Sequence, residues 1–146
     1  MQQKQSILIM LADDDEGHLL LIRENLRAAG IVNELVELRD GQEVVDYLSR
    51  RGKYQDPAAS PRPGLILLDI KMPRMDGFAV LEKIKTDPPL RAIPVVMLTS
   101  TDDQGEVNRC YALGASSYVV KPVQYEAFQA CVKALGLFLD VVRLPN

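Results

Sequence analysis

Five residues of this chain have the types needed to handle a phosphoryl group: the acids Asp13, Asp14 and Asp69, the hydroxyl of Thr99 and the ammonium of Lys121. Each closes an apolar run. "SILIMLA" leads into Asp13–Asp15, "GLILLD" ends on Asp69, "IPVVMLTS" on Thr99–Ser100 and "SYVVK" on Lys121. Brought together, three carboxylates would repel one another unless a cation joined them. A hard divalent ion such as Mg²⁺ is the natural partner, because it takes carboxylate, carbonyl and water oxygens and keeps room for a phosphate. Lys121 would add a mobile positive charge, and Thr99 a hydroxyl able to donate to an anionic oxygen. A carboxylate can form an aspartyl-phosphate, and Asp69 is the acid best placed to attack. Neutralising charge on the transferring oxygens is most of what such chemistry asks of a protein.

Something must bring these residues to one place. Apolar runs of strand length alternate with segments of helical period. Strands are expected at 6–12, 32–38, 64–69, 93–100 and 117–121. Leu19, Ile22, Leu26 and Ala29 mark the first helix, with Gly30 as its stop. Val44, Val45 and Leu48 mark a second over 41–52, and Phe78, Leu81 and Ile84 a third that must end before Pro88-Pro89. Val107, Cys110, Tyr111 and Leu113 mark a fourth, closed by Gly114, and a last helix is expected from Gln124 to Val142. The three prolines and missing periodicity of "KYQDPAASPRP" (53–63) read as a loop. Five strands alternating with five helices imply one α/β domain over residues 1–146, a parallel sheet covered on both faces. In such a sheet ligands bind beyond the carboxyl ends of the strands, where the strand order reverses. With strands one and three as central neighbours, all four polar strand ends converge. Strand two ends in Arg39-Asp40 and lacks a comparable group.

Composition excludes several functions. The chain of 146 residues is 47% hydrophobic and 25% charged with a net charge of −3, so no basic field invites nucleic acid or anionic lipid. No run approaches the ~20 apolar residues of a membrane span, and "MQQKQS" is too short and polar for a signal peptide. Cys110 and Cys131 have no metal or redox spacing and read as packed thiols of a reducing cytoplasm. A soluble, cytoplasmic protein is expected.

In order and spacing, "ADDDEGH", "LLDIKMPRMDG", "VVMLTS" and "GASSYVVKP" resemble the receiver domain of two-component response regulators, over about residues 6–140. Thr99 lies 30 residues after Asp69, and Lys121 22 after Thr99; four motifs in register are far more specific than any one. The resemblance implies a doubly wound, flavodoxin-like and CheY-like (βα)5 fold with strand order 2-1-3-4-5. It implies that Asp69 accepts phosphoryl from a sensor histidine kinase or a phosphotransfer protein, in a phosphorelay and not as a turnover enzyme. Asp14 and Asp69 would bind Mg²⁺ directly (Mn²⁺ or Ca²⁺ substituting), Asp13 largely through water, and the Lys71 backbone carbonyl would be the third protein ligand. Thr99 would be the switch hydroxyl, Tyr118 the aromatic that follows it, and Lys121 the site's lysine. Asp15-Glu16 add local negative charge, and Lys71 holds a position tied to dephosphorylation rate in the family. The 53–63 loop and the ending "VVRLP" look like regulators paired with bacterial phytochrome kinases.

Blander readings exist for each residue. Asp13–Asp15 would serve a helix N-terminus as caps; "MPRMDG" is good turn chemistry; Thr99 is a β-former; Lys121 alone is a surface charge; Tyr118 could be ordinary strand packing. Their joint occurrence argues against all of these. His18 has no evident partner, and a solvated or capping role is expected. A haloacid-dehalogenase-like phosphohydrolase would need an acid where Lys71 stands. A flavin carrier would need a hydroxyl- and glycine-rich loop where "ADDDE" stands. A degenerate scaffold would not keep the full acidic and basic set. The last helix carries two stripes, Phe128, Cys131, Val132, Leu135 and Leu139 for the core, and Ala127, Ala130, Ala134, Leu137 and Val141 on a second face. A helix apolar on two sides is buried twice or meets a partner, and a homodimer through it is expected.

Overall fold

The computed structural model describes residues 7–100, 104–121 and 123–134, except for the side chain of Val132. Strands and helices alternate along the chain. They are β1 Ile9–Ala12, α1 Glu16–Ala28, β2 Leu35–Leu38, α2 Gly41–Ser49, β3 Leu65–Asp69, α3 Gly77–Thr86, β4 Val95–Thr99, α4 Gln104–Ala112, β5 Ser117–Val120 and α5 Tyr125–Ala134. The five strands form one parallel sheet in the order β2-β1-β3-β4-β5, as the sequence led us to expect.

Side chains alternate across a strand, so a sheet buried on both faces needs every residue apolar. In β1, Met10 and Ala12 join one core and Ile9 and Leu11 the other. β3 repeats this with Ile66 and Leu68 against Leu65 and Leu67. The first core is closed by α2, α3 and α4 through Val44, Leu48, Phe78, Leu81 and Cys110. The second is closed by α1 and α5 through Leu19, Ile22, Leu26, Phe128 and Cys131. Burial contributes ~1.5–3 kcal/mol for each large aliphatic residue. The Leu19–Ile22–Leu26 stripe therefore outweighs the ~1 kcal/mol cost of Gly17 inside α1.

Local signals set the element ends. Asp15, Asp40 and Asp76 each cap a helix, accepting from the backbone N–H of His18, Glu43 and Ala79. α3 stops at Thr86, before the two prolines, and Gly114 adopts φ +102° after α4. β2 is shorter than expected, beginning at Leu35, because buried Asn33 turns inward and its amide donates to the Ile7 carbonyl. Residues 53–63 also differ from a plain loop. Two 3₁₀ turns, Gly52–Tyr54 and Pro57–Ala59, are tied to α2 by the Tyr47 hydroxyl on the Pro61 carbonyl and by Tyr47–Tyr54 ring contact. The part of the last helix expected beyond Ala134 lies outside the described residues.

Register decides what happens at the carboxyl edge. Ala12 is level with Leu68, Asp69 with Leu98, and Thr99 with Val120. Asp13, Asp69, Thr99 and Lys121 therefore leave adjacent strands within about one residue of a common level. After β3 the chain doubles back so tightly that a Cβ on Gly77 would sit 2.2 Å from the Asp69 carbonyl oxygen. Only glycine fits there.

Candidate metal and phosphoryl site

β1 and β3 are neighbours, and the strand order reverses between them. Asp13 follows β1 and is fully buried, while Asp14 is exposed. Asp69 closes β3 and is 5% exposed. Carboxylate oxygens of Asp13, Asp14 and Asp69 lie within 4.8 Å of one another, the spacing a small cation would bridge.

Lys121, just past β5, is held by its backbone N–H on the Thr99 carbonyl at 2.7 Å. Its Nζ reaches Asp69 Oδ1 at 3.1 Å and Asp13 Oδ2 at 3.3 Å. Asp69 Oδ1 also accepts from the Ile70 N–H at 2.9 Å, and Asp13 Oδ1 from the Asp15 N–H at 2.9 Å. Burial pushes the Asp69 carboxyl up to about 6; the Asp13 charge adds to this, and Lys121 opposes it. Burial also works against the Lys121 charge, but the Asp69 and Asp13 carboxylates overcome it and hold the ammonium above its usual range. Asp13 and Asp69 share one ammonium, and Asp14 adds a further carboxylate beside them, so the acids outnumber the cation that holds them.

The Thr99 hydroxyl is buried and makes no hydrogen bond among the described residues. An unpaired buried hydroxyl is costly by about 1–3 kcal/mol, and an arriving anionic oxygen would satisfy it. Asp69, Lys71, Ser100, Glu106 and Lys121 line a cavity of about 350 Å³ over this edge. The donor set thus fits a divalent ion, and the hydroxyl and ammonium fit a phosphoryl beside it.

Of the expected strand-end residues, Asp13, Asp14, Asp69 and Lys121 come together here, and Thr99 ends the neighbouring strand β4. Lys71 lines the cavity, on the β3–α3 side. Tyr118 is half-buried and stands apart from the acids, its ring edge-on to exposed Tyr111 at 6.1 Å. One expectation is corrected. His18 has partners: its Nδ1 lies 3.1 Å from Lys121 Nζ and 3.3 Å from Asp13 Oδ2. A helix-opening histidine after an acidic strand end is one turn from the site, and that spacing is the signal sequence reasoning passed over. Asp15 caps α1, the blander reading of the acidic run, so Asp13 and Asp15 divide site and cap between them.

The fold and this edge define a receiver domain of two-component signalling. The chain belongs to that family: residues 9–133 match the response regulator receiver domain. Response regulator Rcp1 of Synechocystis sp. is 37% identical over 139 residues, covering 94% of this chain and 92% of Rcp1. A Mn²⁺-bound structure of Rcp1 superposes with a TM-score of 0.75 at 35% identity, covering 96% of this chain and 99% of that one. The bacteriophytochrome response regulator AtBRR gives 0.84 at 38% identity, over 98% and 99% of the two chains. The phosphorylated cyanobacterial phytochrome response regulator RcpA gives 0.77 at 34% identity, over 97% and 99%. No helix among the described residues is long and apolar enough to cross a membrane.

Proposed function

We propose that this receiver is a phosphoacceptor switch in which Asp69 takes a phosphoryl group from a phosphohistidine on a sensor kinase or a phosphotransfer protein. One observation carries this reading: Asp69 lies between a cation-ready acid pair and Lys121, and the neighbouring strand ends on a buried Thr99 hydroxyl that has no hydrogen-bond partner among the described residues. Asp69 Oδ1 is committed to Ile70 and Lys121, so Oδ2 is the nucleophile. The O–P bond forms as the P–N bond to the donor breaks, and the imidazole nitrogen keeps the electron pair. Asp13, Asp14, Asp69 and the Lys71 carbonyl would hold Mg²⁺, which supplies charge neutralisation at the transferring oxygens. Lys121 then turns to one phosphoryl oxygen and Thr99 donates to another.

The hydroxyl's move is the switch. Drawing Thr99 toward the phosphoryl opens space behind it for Tyr118, next in line on β5, and biases the surface formed by α4, β5 and α5. Tyr111 and Val120 are exposed on that surface. Near-complete switching, from 1:99 to 99:1, needs ~5.5 kcal/mol of preference. The relatives' names favour a kinase of the bacterial phytochrome class as donor, in the cytoplasm. Ala127, Ala130 and Ala134 are exposed on α5, which supports the proposed homodimer; sedimentation showing monomer alone at tens of micromolar would refute it.

Incubation with acetyl phosphate and Mg²⁺, read by intact mass, tests the function. One phosphoryl adduct that disappears with EDTA is expected. No adduct with Mg²⁺, or labelling indifferent to EDTA, would overturn it.

A further inference from the structure

Lys121 sits where a divalent ion would have to come. Its ammonium is 3.1 Å from Asp69 Oδ1 and 3.3 Å from Asp13 Oδ2, so a cation taking those oxygens must displace it. The displaced ammonium needs an acceptor. Its side chain is 11% exposed, so water alone serves it poorly, and an unpaired buried charge is strongly disfavoured.

The third contact of the ammonium supplies that acceptor. His18 Nδ1 is 3.1 Å from Nζ, on the α1 side of the carboxylates. An ammonium only donates, so Nδ1 can meet it only with its lone pair; in that tautomer the ring proton is on Nε2 and the 3.3 Å approach of Nδ1 to Asp13 Oδ2 carries no hydrogen bond. Nε2 is turned toward Asp15 Oδ2 at 3.9 Å, while Asp15 Oδ1 accepts from the His18 backbone N–H at 3.1 Å. The α1 cap thus fixes the backbone of His18, with the Asp15 carboxylate standing near its ring. Beyond the imidazole lies a second cavity of about 320 Å³, walled by His18, Leu21, Ile22, Ser100, Lys121 and Val123. The cavity leaves open space beside both the Lys121 and the His18 side chains.

We infer that His18 is a positioning residue for metal entry: it holds the Lys121 ammonium when a divalent cation takes Asp13 and Asp69. This rests on the reading of those acids as the cation site. Without His18 the ammonium stays on the carboxylates and competes with the metal.

The test is Mn²⁺ binding to the full-length chain, read by electron paramagnetic resonance of the free ion. His18→Leu, which removes the acceptor from a half-exposed position, weakens Mn²⁺ roughly tenfold, the size of one charge-assisted hydrogen bond. His18→Asn, which keeps an acceptor near the place of Nδ1, returns affinity to within about twofold of wild type. Lys121→Met binds Mn²⁺ more tightly, and adding His18→Leu to it changes nothing further. Equal affinities for wild type and His18→Leu overturn the assignment, as does an unchanged loss in the Lys121→Met background or failure of His18→Asn to restore binding. Those results leave the cation site standing; a wild-type protein that takes up no Mn²⁺ overturns both.

Discussion

Asp40 and Asp69 stand at the ends of adjoining parts of one sheet edge, and the fold treats them in opposite ways. Asp40 follows β2 and is fully served: it accepts from the Glu43 N–H at 2.7 Å and from Arg74 Nη2 at 3.0 Å. Burial acts against its charge, but the Glu43 N–H and Arg74 outweigh it, and its carboxyl lies below the usual range. Asp69 closes β3 with one shared ammonium and a like charge beside it, and its carboxyl is pushed up to about 6. The same residue type at the same kind of position is structural where its charge is balanced. Where it is not, the imbalance leaves room for a ligand. The region near β2 is tight in backbone as well: a Cβ on Gly41 would lie 2.0 Å from the Met75 carbonyl oxygen, and Arg74 takes φ +65°.

Changes at the two ends should therefore part company. The largest effect is on phosphorylation rate: Lys121→Met slows labelling by acetyl phosphate about 100-fold and Thr99→Ala about tenfold, while Asp40→Asn stays within about twofold. Comparable losses from all three, in initial rates by intact mass, would erase the distinction.

Stability should move the other way. Removing the Asp69 charge with Asp69→Asn stabilises the fold by about 2 kcal/mol at pH 7.5 in urea unfolding. The sign follows from protons: folded Asp69 keeps its proton up to about 6, whereas the unfolded chain releases it near ~4. The strain of the ionised group is thus present above that folded value and absent below ~4. The advantage of Asp69→Asn should fall through pH 6 and vanish near pH 4; an advantage independent of pH would point to another cause.

At the β2 end, Asp40→Ala loses a cap and should cost about 1–2 kcal/mol. The smallest effect is Arg74→Gly. It gives up an ion pair whose Arg74 side is 60% exposed and relieves a left-handed backbone, so the change should stay within about 0.5 kcal/mol. A loss above ~2 kcal/mol would mean the Arg74–Asp40 pair holds the β3–α3 loop.

The alternation of strands and helices was legible because apolar runs and helical stripes are local. The convergence of Asp13, Asp69, Thr99 and Lys121 was legible for a related reason, since a parallel sheet places every strand's carboxyl end at one edge. What escaped depends on pairings across the fold. His18 meets Lys121 from 103 residues away, and Arg74 meets Asp40 from 34 away; no periodicity marks either. The 53–63 segment looked shapeless because prolines hide its order. Buried Ser60, whose hydroxyl lies 3.0 Å from the Tyr54 carbonyl, and Tyr47 hold it in place.

Of the several carboxylates at this edge, one alone, Asp69, is proposed to accept the phosphoryl group. Mapping the adduct by peptide mass spectrometry after borohydride reduction of the acyl phosphate tests it most directly. Modification is expected at Asp69 alone and not in Asp69→Asn; an adduct on Asp13, Asp14 or Asp40, or one that survives Asp69→Asn, would place the acceptor elsewhere.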